Sequence, residues 1–174
     1  MRIPIQTVVF SLLLLLLSAC SSVAHREQAQ RTDDITGPEP APLADGFSPA
    51  PLRKRVVESA LLQLGRPYHF GGSEPGGFDC SGLVQYAYSE AGVVVPRSTR
   101  EQRGTGKIIR LDDAQPVDLL FYHFGRKKTD LHVGLYLGDG KMIHAPSSGR
   151  QVSIVRVDEP QWVKRYIDAI RILP

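Results

Sequence analysis

Cys80 and the five histidines are the residues whose chemistry has to be placed first. A thiol attacks a carbonyl carbon only as thiolate, so a nucleophilic cysteine needs surroundings that favour loss of its proton. Cys80 comes after a glycine-rich stretch and directly after Asp79, a good helix N-cap residue. That context predicts a place in the first turn of a helix, where unpaired N–H groups and the positive end of the dipole favour an anion. The same N–H groups can stabilise the oxyanion of a tetrahedral intermediate. A lone cysteine is more often a small buried hydrophobe; the helix start and the glycines before it argue against that reading here.

The base has to come from a histidine. His25 lies in a polar N-terminal stretch, and His69 and His123 carry no pattern that assigns them. His132 and His144 fall on two adjacent predicted strands joined by Gly138-Asp139-Gly140. A two-residue turn at Asp139-Gly140 would put the two rings on opposite faces, because a one-residue slip turns every side chain over. A three-residue loop pairs Leu137 with Lys141 and Gly134 with His144, and sets His132 diagonal to His144 on one face. The three-residue loop is the expectation. His132 would then take the proton from Cys80, and His144 would orient the His132 ring. Cysteine and histidine also bind zinc, but no second cysteine is near and no paired-ligand spacing is present, so no metal is expected.

These residues need a frame. The periodicity of Val56, Val57, Ala60, Leu61 and Leu64 predicts a first helix over Leu52 to Leu64, closed by Gly65. Arg66 to Phe78 is broken by prolines and glycines and reads as a loop. A second helix runs from the Asp79 cap to Gly92. A short third one is marked by Ser98 and Glu101 at capping-box spacing. Strands are expected at 108–109, 119–122, 131–137, 141–145, 152–155 and 167–173. Helices first and short antiparallel strands afterwards predict an α+β domain, with the Cys80 helix packed on the sheet.

The N-terminal end reads as an address. Val8 to Leu17 is an apolar run of signal-peptide length, too short to span a bilayer. It ends in Leu17-Ser18-Ala19-Cys20, which resembles a bacterial lipobox. Residues 1–19 are therefore expected to be a lipoprotein signal, and Cys20 the lipidated start of a tether over 20–51. More than one acyl chain would give stable membrane anchoring. Lipidation would consume one of the two cysteines and leave Cys80 unpaired in an exported protein. From Leu52 onward, eighteen Lys and Arg face thirteen Asp and Glu, a balance that favours an anionic polymer or surface.

Phe78-Asp79-Cys80-Ser81-Gly82-Leu83-Val84 and His132-Val133-Gly134-Leu135-Tyr136-Leu137-Gly138 resemble two signature segments of the NlpC-type cell-wall cysteine peptidases. Met142-Ile143-His144-Ala145 resembles the third. Pro67-Tyr68 with Gly71-Gly72, Pro96-Arg97-Ser98 with Gln102, and Asp118-Leu119-Leu120-Phe121 follow in the expected order. The resemblance implies a papain-like α+β fold over 52–174 and hydrolysis of peptidoglycan stems by a Cys80, His132, His144 triad. It implies Tyr68 beside the nucleophile and Asp79 and Ser81 lining the cleft. Arg97 is a candidate for substrate carboxylates, with an exposed helix-entry arginine as the favoured alternative. No metal, organic cofactor or nucleic-acid partner is expected. The favoured bond is the D-alanine–diaminopimelate cross-link, facing the periplasm from the outer membrane. A D-glutamate–diaminopimelate cut is the alternative, and an envelope-binding adaptor or an acyltransferase are readings of another class. Two departures stand out: Val117 where the family usually has glycine, and His69 at a position commonly apolar.

Overall fold

Leu52, Val56 and Ala60 recur every fourth residue and are all buried, the stripe of a helix lying on a core. The computed structural model describes residues 49–127 and 130–174. The expected signal segment, Cys20 and most of the tether lie outside the described residues. The first helix, α1, spans Pro49–Leu61. It starts three residues inside the stretch read as tether, because Pro49 is tolerated in a first turn. It ends at Leu61 rather than Leu64, and the chain turns through Gly65, which takes a left-handed φ of +78°.

The glycine-rich segment contains a minimal hairpin, β1 (Ser73–Glu74) and β2 (Gly77–Phe78), where only loop was expected. Helix α2 follows over Cys80–Glu90, with Asp79 as its N-cap. Leu83, Val84, Ala87 and Tyr88 of α2 are buried. Full burial of a leucine or valine side chain contributes about 1.5–3 kcal/mol, so this face anchors the helix. Helix α3, Thr99–Arg103, carries the expected capping box between Ser98 and Glu101.

The rest is a six-stranded antiparallel sheet. Its strands are β3 (Lys107–Ile109), β4 (Leu119–His123), β5 (Leu131–Gly138), β6 (Lys141–His144), β7 (Ser153–Arg156) and β8 (Tyr166–Arg171), in the order β3-β8-β4-β5-β6-β7. A short helix α4, Pro160–Val163, precedes β8. Alternation splits the sheet residues between two cores. Leu119, Phe121, Val133, Leu135 and Ile143 pack with α1 and α2. Leu120, Tyr122, Met142 and Ala169 face the other way, onto Trp162 of α4.

The β5–β6 hairpin corrects the expected loop. Gly138 pairs with Lys141, so the turn itself has two residues, Asp139 and Gly140. Both have positive φ, 52° and 68°, as the favoured two-residue hairpin turns demand. A bulge between Tyr136 and Gly138 then restores the register Tyr136↔Met142 and Leu135↔Ile143. The inner register is therefore the expected one, reached by a bulge instead of a longer loop. Continued by one step, it sets Gly134 opposite His144.

Val117 makes the turn that glycine usually makes, with a φ of +76°. A β-branched residue there costs on the order of 1–3 kcal/mol. Its surroundings offset that cost. The Val117 N–H donates to the Tyr136 carbonyl at 2.7 Å, and its carbonyl accepts from the Tyr88 hydroxyl at 2.7 Å. The next residue, Asp118, is buried and gripped by Arg171 at 2.8 Å, with Arg53 at 3.7 Å.

Gly82 explains itself by close approach: a Cβ there would run into the Gly72 carbonyl. The loop before Cys80 is thus seated on the helix backbone itself. Gly82→Ala is expected to push loop and helix apart and cost about 1–3 kcal/mol, the usual range for overpacking. Urea denaturation measures it, and an unchanged midpoint would mean that the loop is not seated there.

Candidate active site

Asp79 organises the start of α2. Its Oδ1 caps the helix by accepting from the Gly82 N–H at 2.7 Å, and its Oδ2 accepts from the Gly71 N–H at 3.0 Å. Arg97 grips both oxygens, at 2.6 and 3.0 Å. The same guanidinium donates to the Ser81 hydroxyl at 3.0 Å and the Gly72 carbonyl at 3.3 Å. The Ser81 hydroxyl in turn donates to Asp79 Oδ1 at 3.2 Å. Burial works to raise the Asp79 pKa, but the bonds from Arg97, Gly82 and Gly71 outweigh it and hold the carboxyl below its usual range. Asp79, Ser81 and Arg97 therefore form one closed network. Both terminal nitrogens of Arg97 are engaged by protein acceptors, so a substrate carboxylate would have to compete with Asp79 for them.

Cys80 opens the helix and is partly buried beside the main core. Its sulfur lies 3.6 Å from the Thr99 hydroxyl and meets the backbone N–H of Val133, the residue after His132. Burial pushes the thiol pKa up. The Thr99 and Val133 bonds pull it back without reversing the sign. In this conformation the sulfur is bonded to Thr99 and not to an imidazole. Tyr68, from the loop before β1, has its phenol pKa raised first by burial and then by charge at Cys80 and Asp79, which puts it in the field of the thiol.

His132 and His144 alternate with Val133 and Ile143, and so turn to the second face of the sheet. Both rings are buried. His132 Nε2 lies 2.9 Å from His144 Nδ1, with the ring planes at 90°. Trp162 closes the pair from behind, 4.9 Å from the His144 ring and 5.9 Å from the His132 ring. Phe124 packs edge-on at 5.5 Å from His132, and the Arg165 guanidinium covers Phe124. Burial pushes the His132 ring down to about 3, with repulsion from His144 second. It pushes His144 down to about 4, with the Arg150 charge second. Both rings are neutral at neutral pH.

The other two described histidines stay apart: His69 is exposed in the loop, and His123 bonds the Lys127 carbonyl at 2.6 Å. Among the described residues, no three His, Cys, Asp or Glu side chains are grouped to hold a metal ion. Sequence reasoning missed Trp162, Phe124 and Thr99. Trp162 is the only tryptophan in the chain, a hint by rarity alone. Thr99 sits inside the capping box that Ser98 and Glu101 announced.

Helices packed against an antiparallel sheet, with a cysteine opening the helix next to the sheet, define a papain-like α+β domain. The NlpC/P60 family model matches residues 65–171, and the chain belongs to that family. The murein DD-endopeptidase MepH of Escherichia coli is 36% identical over 130 residues, 69% of this chain and 46% of that protein. A gamma-D-glutamyl-L-lysine dipeptidyl-peptidase of Bacillus cereus is 34% identical over 127 residues, 72% of this chain and 38% of that protein. Among solved structures, the peptidoglycan hydrolase RipB of Mycobacterium tuberculosis superposes with a TM-score of 0.62 at 31% identity, covering 72% of this chain and 67% of that one. The chain spans less than half the length of both curated relatives.

The dry histidine pair has a consequence for stability. An imidazole in the unfolded chain titrates near 6.5, so on acidification the unfolded state takes up protons that the folded pair refuses. The stability tied to these rings is fully present above about pH 6.5 and declines as the pH falls toward 4 and then 3. Urea unfolding followed by Trp162 emission should show that decline, and His132→Phe should flatten it. A stability independent of pH between 7 and 4 would contradict the burial of the pair.

Proposed function

We propose that this protein is a cysteine peptidase that hydrolyses peptide stems of peptidoglycan, with Cys80 as nucleophile, His132 as base and His144 as the group that orients it. The single observation that carries the reading is the 2.9 Å bond from His132 Nε2 to His144 Nδ1. It engages one nitrogen of His132 and leaves Nδ1 for the thiol. If His132 carries its proton on Nε2 and donates to His144 Nδ1, its Nδ1 is the unprotonated, basic nitrogen. Family membership and relatives named as murein endopeptidase and peptidoglycan hydrolase support the substrate class.

The chemistry then follows from the chain's own groups. A neutral thiol, kept so by burial, turns its S–H toward His132 and gives up its proton to Nδ1 as the sulfur attacks the scissile carbonyl. The N–H groups at the start of α2 receive the developing oxyanion. Collapse expels the amine, which takes the proton from His132, and leaves an acyl group on Cys80 as a thioester. Water, deprotonated by His132, attacks the thioester carbon and frees the thiol. His144 accepts from Nε2–H throughout and steadies the charged ring. Tyr68 stands beside the thiol, and Asp79, Ser81 and Arg97 border the cleft as one linked unit.

The favoured bond is the D-alanine–diaminopimelate cross-link, in keeping with the DD-endopeptidase relative. The γ-D-glutamyl relative supports the alternative, a cut after D-glutamate. Lipidation at Cys20 would hold the domain at the outer membrane, facing the wall, and its basic balance would draw it to the anionic polymer. The test is mass spectrometry of products from purified peptidoglycan. Cross-linked dimers should become monomers. Cys80→Ala should release nothing, His132→Ala should lower kcat about 10²–10⁴-fold, and His144→Ala should cost less because an imidazole remains. Stems cut after D-glutamate would move the bond but keep the class. No release by the wild type would favour an adaptor or an acyltransferase.

A further inference from the structure

Thr99 touches the sulfur of Cys80, and the reaction above gives it no task. Its Oγ1 lies 3.6 Å from Sγ, within bonding range for so large an acceptor. Among the described residues its hydroxyl has no other partner, so its O–H is free to point at the sulfur.

The surrounding structure fixes that hydroxyl. Thr99 is the first residue of α3, whose start is locked by the capping box: the Glu101 N–H donates to Ser98 Oγ at 3.3 Å, and the Ser98 N–H to Glu101 Oε2 at 3.4 Å. Gln102 is the only buried residue of α3. It donates from Nε2 to the Ser81 carbonyl at 2.9 Å and the Pro96 carbonyl at 2.8 Å. One end of that clamp lies a single residue from Cys80. A five-residue helix with one buried side chain adds little core of its own. What it does is bring one hydroxyl to one sulfur.

We propose that Thr99 is a positioning residue for the nucleophile: its O–H donates to Cys80 Sγ, favouring the thiolate and fixing where the sulfur waits at the head of α2. The proton leaving Sγ goes to His132, and Thr99 keeps its own. The inference rests on the reading of Cys80 as nucleophile. Among the groups that oppose the burial of the thiol, the Thr99 hydroxyl ranks ahead of the Val133 N–H. The other titratable groups around the sulfur are Tyr68 from the loop, Asp79 at the cap and Arg97 ahead of α3; His132, the proposed base, directly precedes Val133 on β5. Asp79 and Arg97 are paired with each other.

The test measures the rate of iodoacetamide alkylation against pH, on the full chain carrying Cys20→Ser so that Cys80 is the only thiol. Thr99→Val should slow alkylation at pH 7 about tenfold and move the profile about one pH unit alkaline, one unit being tenfold in the equilibrium. Thr99→Ser should stay within about twofold of the parent, since it keeps the hydroxyl that such a bond needs. Thr99→Ala, smaller at this half-buried position, repeats the test should the valine variant not fold. Coincident profiles for the parent and both hydroxyl-free variants would overturn the proposal, as would a serine variant as slow as the valine one. Peptidoglycan digestion by the parent is scored separately, so a failure of the peptidase reading leaves its own mark.

Discussion

The hydrogen bond between the His132 and His144 rings sets the tolerance for the rest of the structure. It crosses from β5 to β6, and a slip of one residue would send one ring to the far side of the sheet. The hairpin therefore has to deliver one inner register. A two-residue turn alone gives the wrong one, and the bulge next to Gly138 corrects it. The turn end of the same strand pair is held by Val117 and Asp118. The strained backbone of Val117 is bonded to Tyr136 of β5 and to Tyr88 of α2. These contacts tie the helix that Cys80 opens to the strand that carries His132.

The two halves of the site live in different environments. The imidazole pair lies in an aromatic enclosure made by Trp162 and Phe124, where burial removes the charge from both rings. A hydrogen bond between neutral rings in such a place is well defined and little disturbed by solvent. The cysteine end is polar and crowded with donors: the Thr99 hydroxyl, the Val133 N–H and the start of α2. Burial of the thiol and of the imidazoles acts in the same direction, toward a neutral resting pair. In the proposed reaction charge has to be created at the moment of attack, and the donors around the sulfur stand where that charge would form.

Local rules made much of this legible in the sequence. Asp79 as a cap, the Ser98–Glu101 box and the amphipathic stripe of α1 each depend on a few neighbouring residues, and each is found in the structure. The His132–His144 register was legible in outcome but not in means, because a bulge leaves no pattern in the hairpin's residue types. The partner of Arg97 was not legible: its fork closes on Asp79, eighteen residues earlier in the chain. Trp162 was missed for a similar reason. It arrives from α4, and nothing near it in sequence points back to the histidines. Side chains that reach a site across the fold leave little local trace.

The central claim is that His132 and His144 form one neutral, hydrogen-bonded unit with Nδ1 of His132 free for the thiol. Imidazole nitrogen shifts from ¹⁵N-histidine-labelled protein, recorded from pH 7 down to 4, test it most directly. The account predicts that His132 and His144 both hold their proton on Nε2 at pH 7, and that neither ring titrates near 6.5. A His132 ring protonated on Nδ1, or charged at neutral pH, would contradict it.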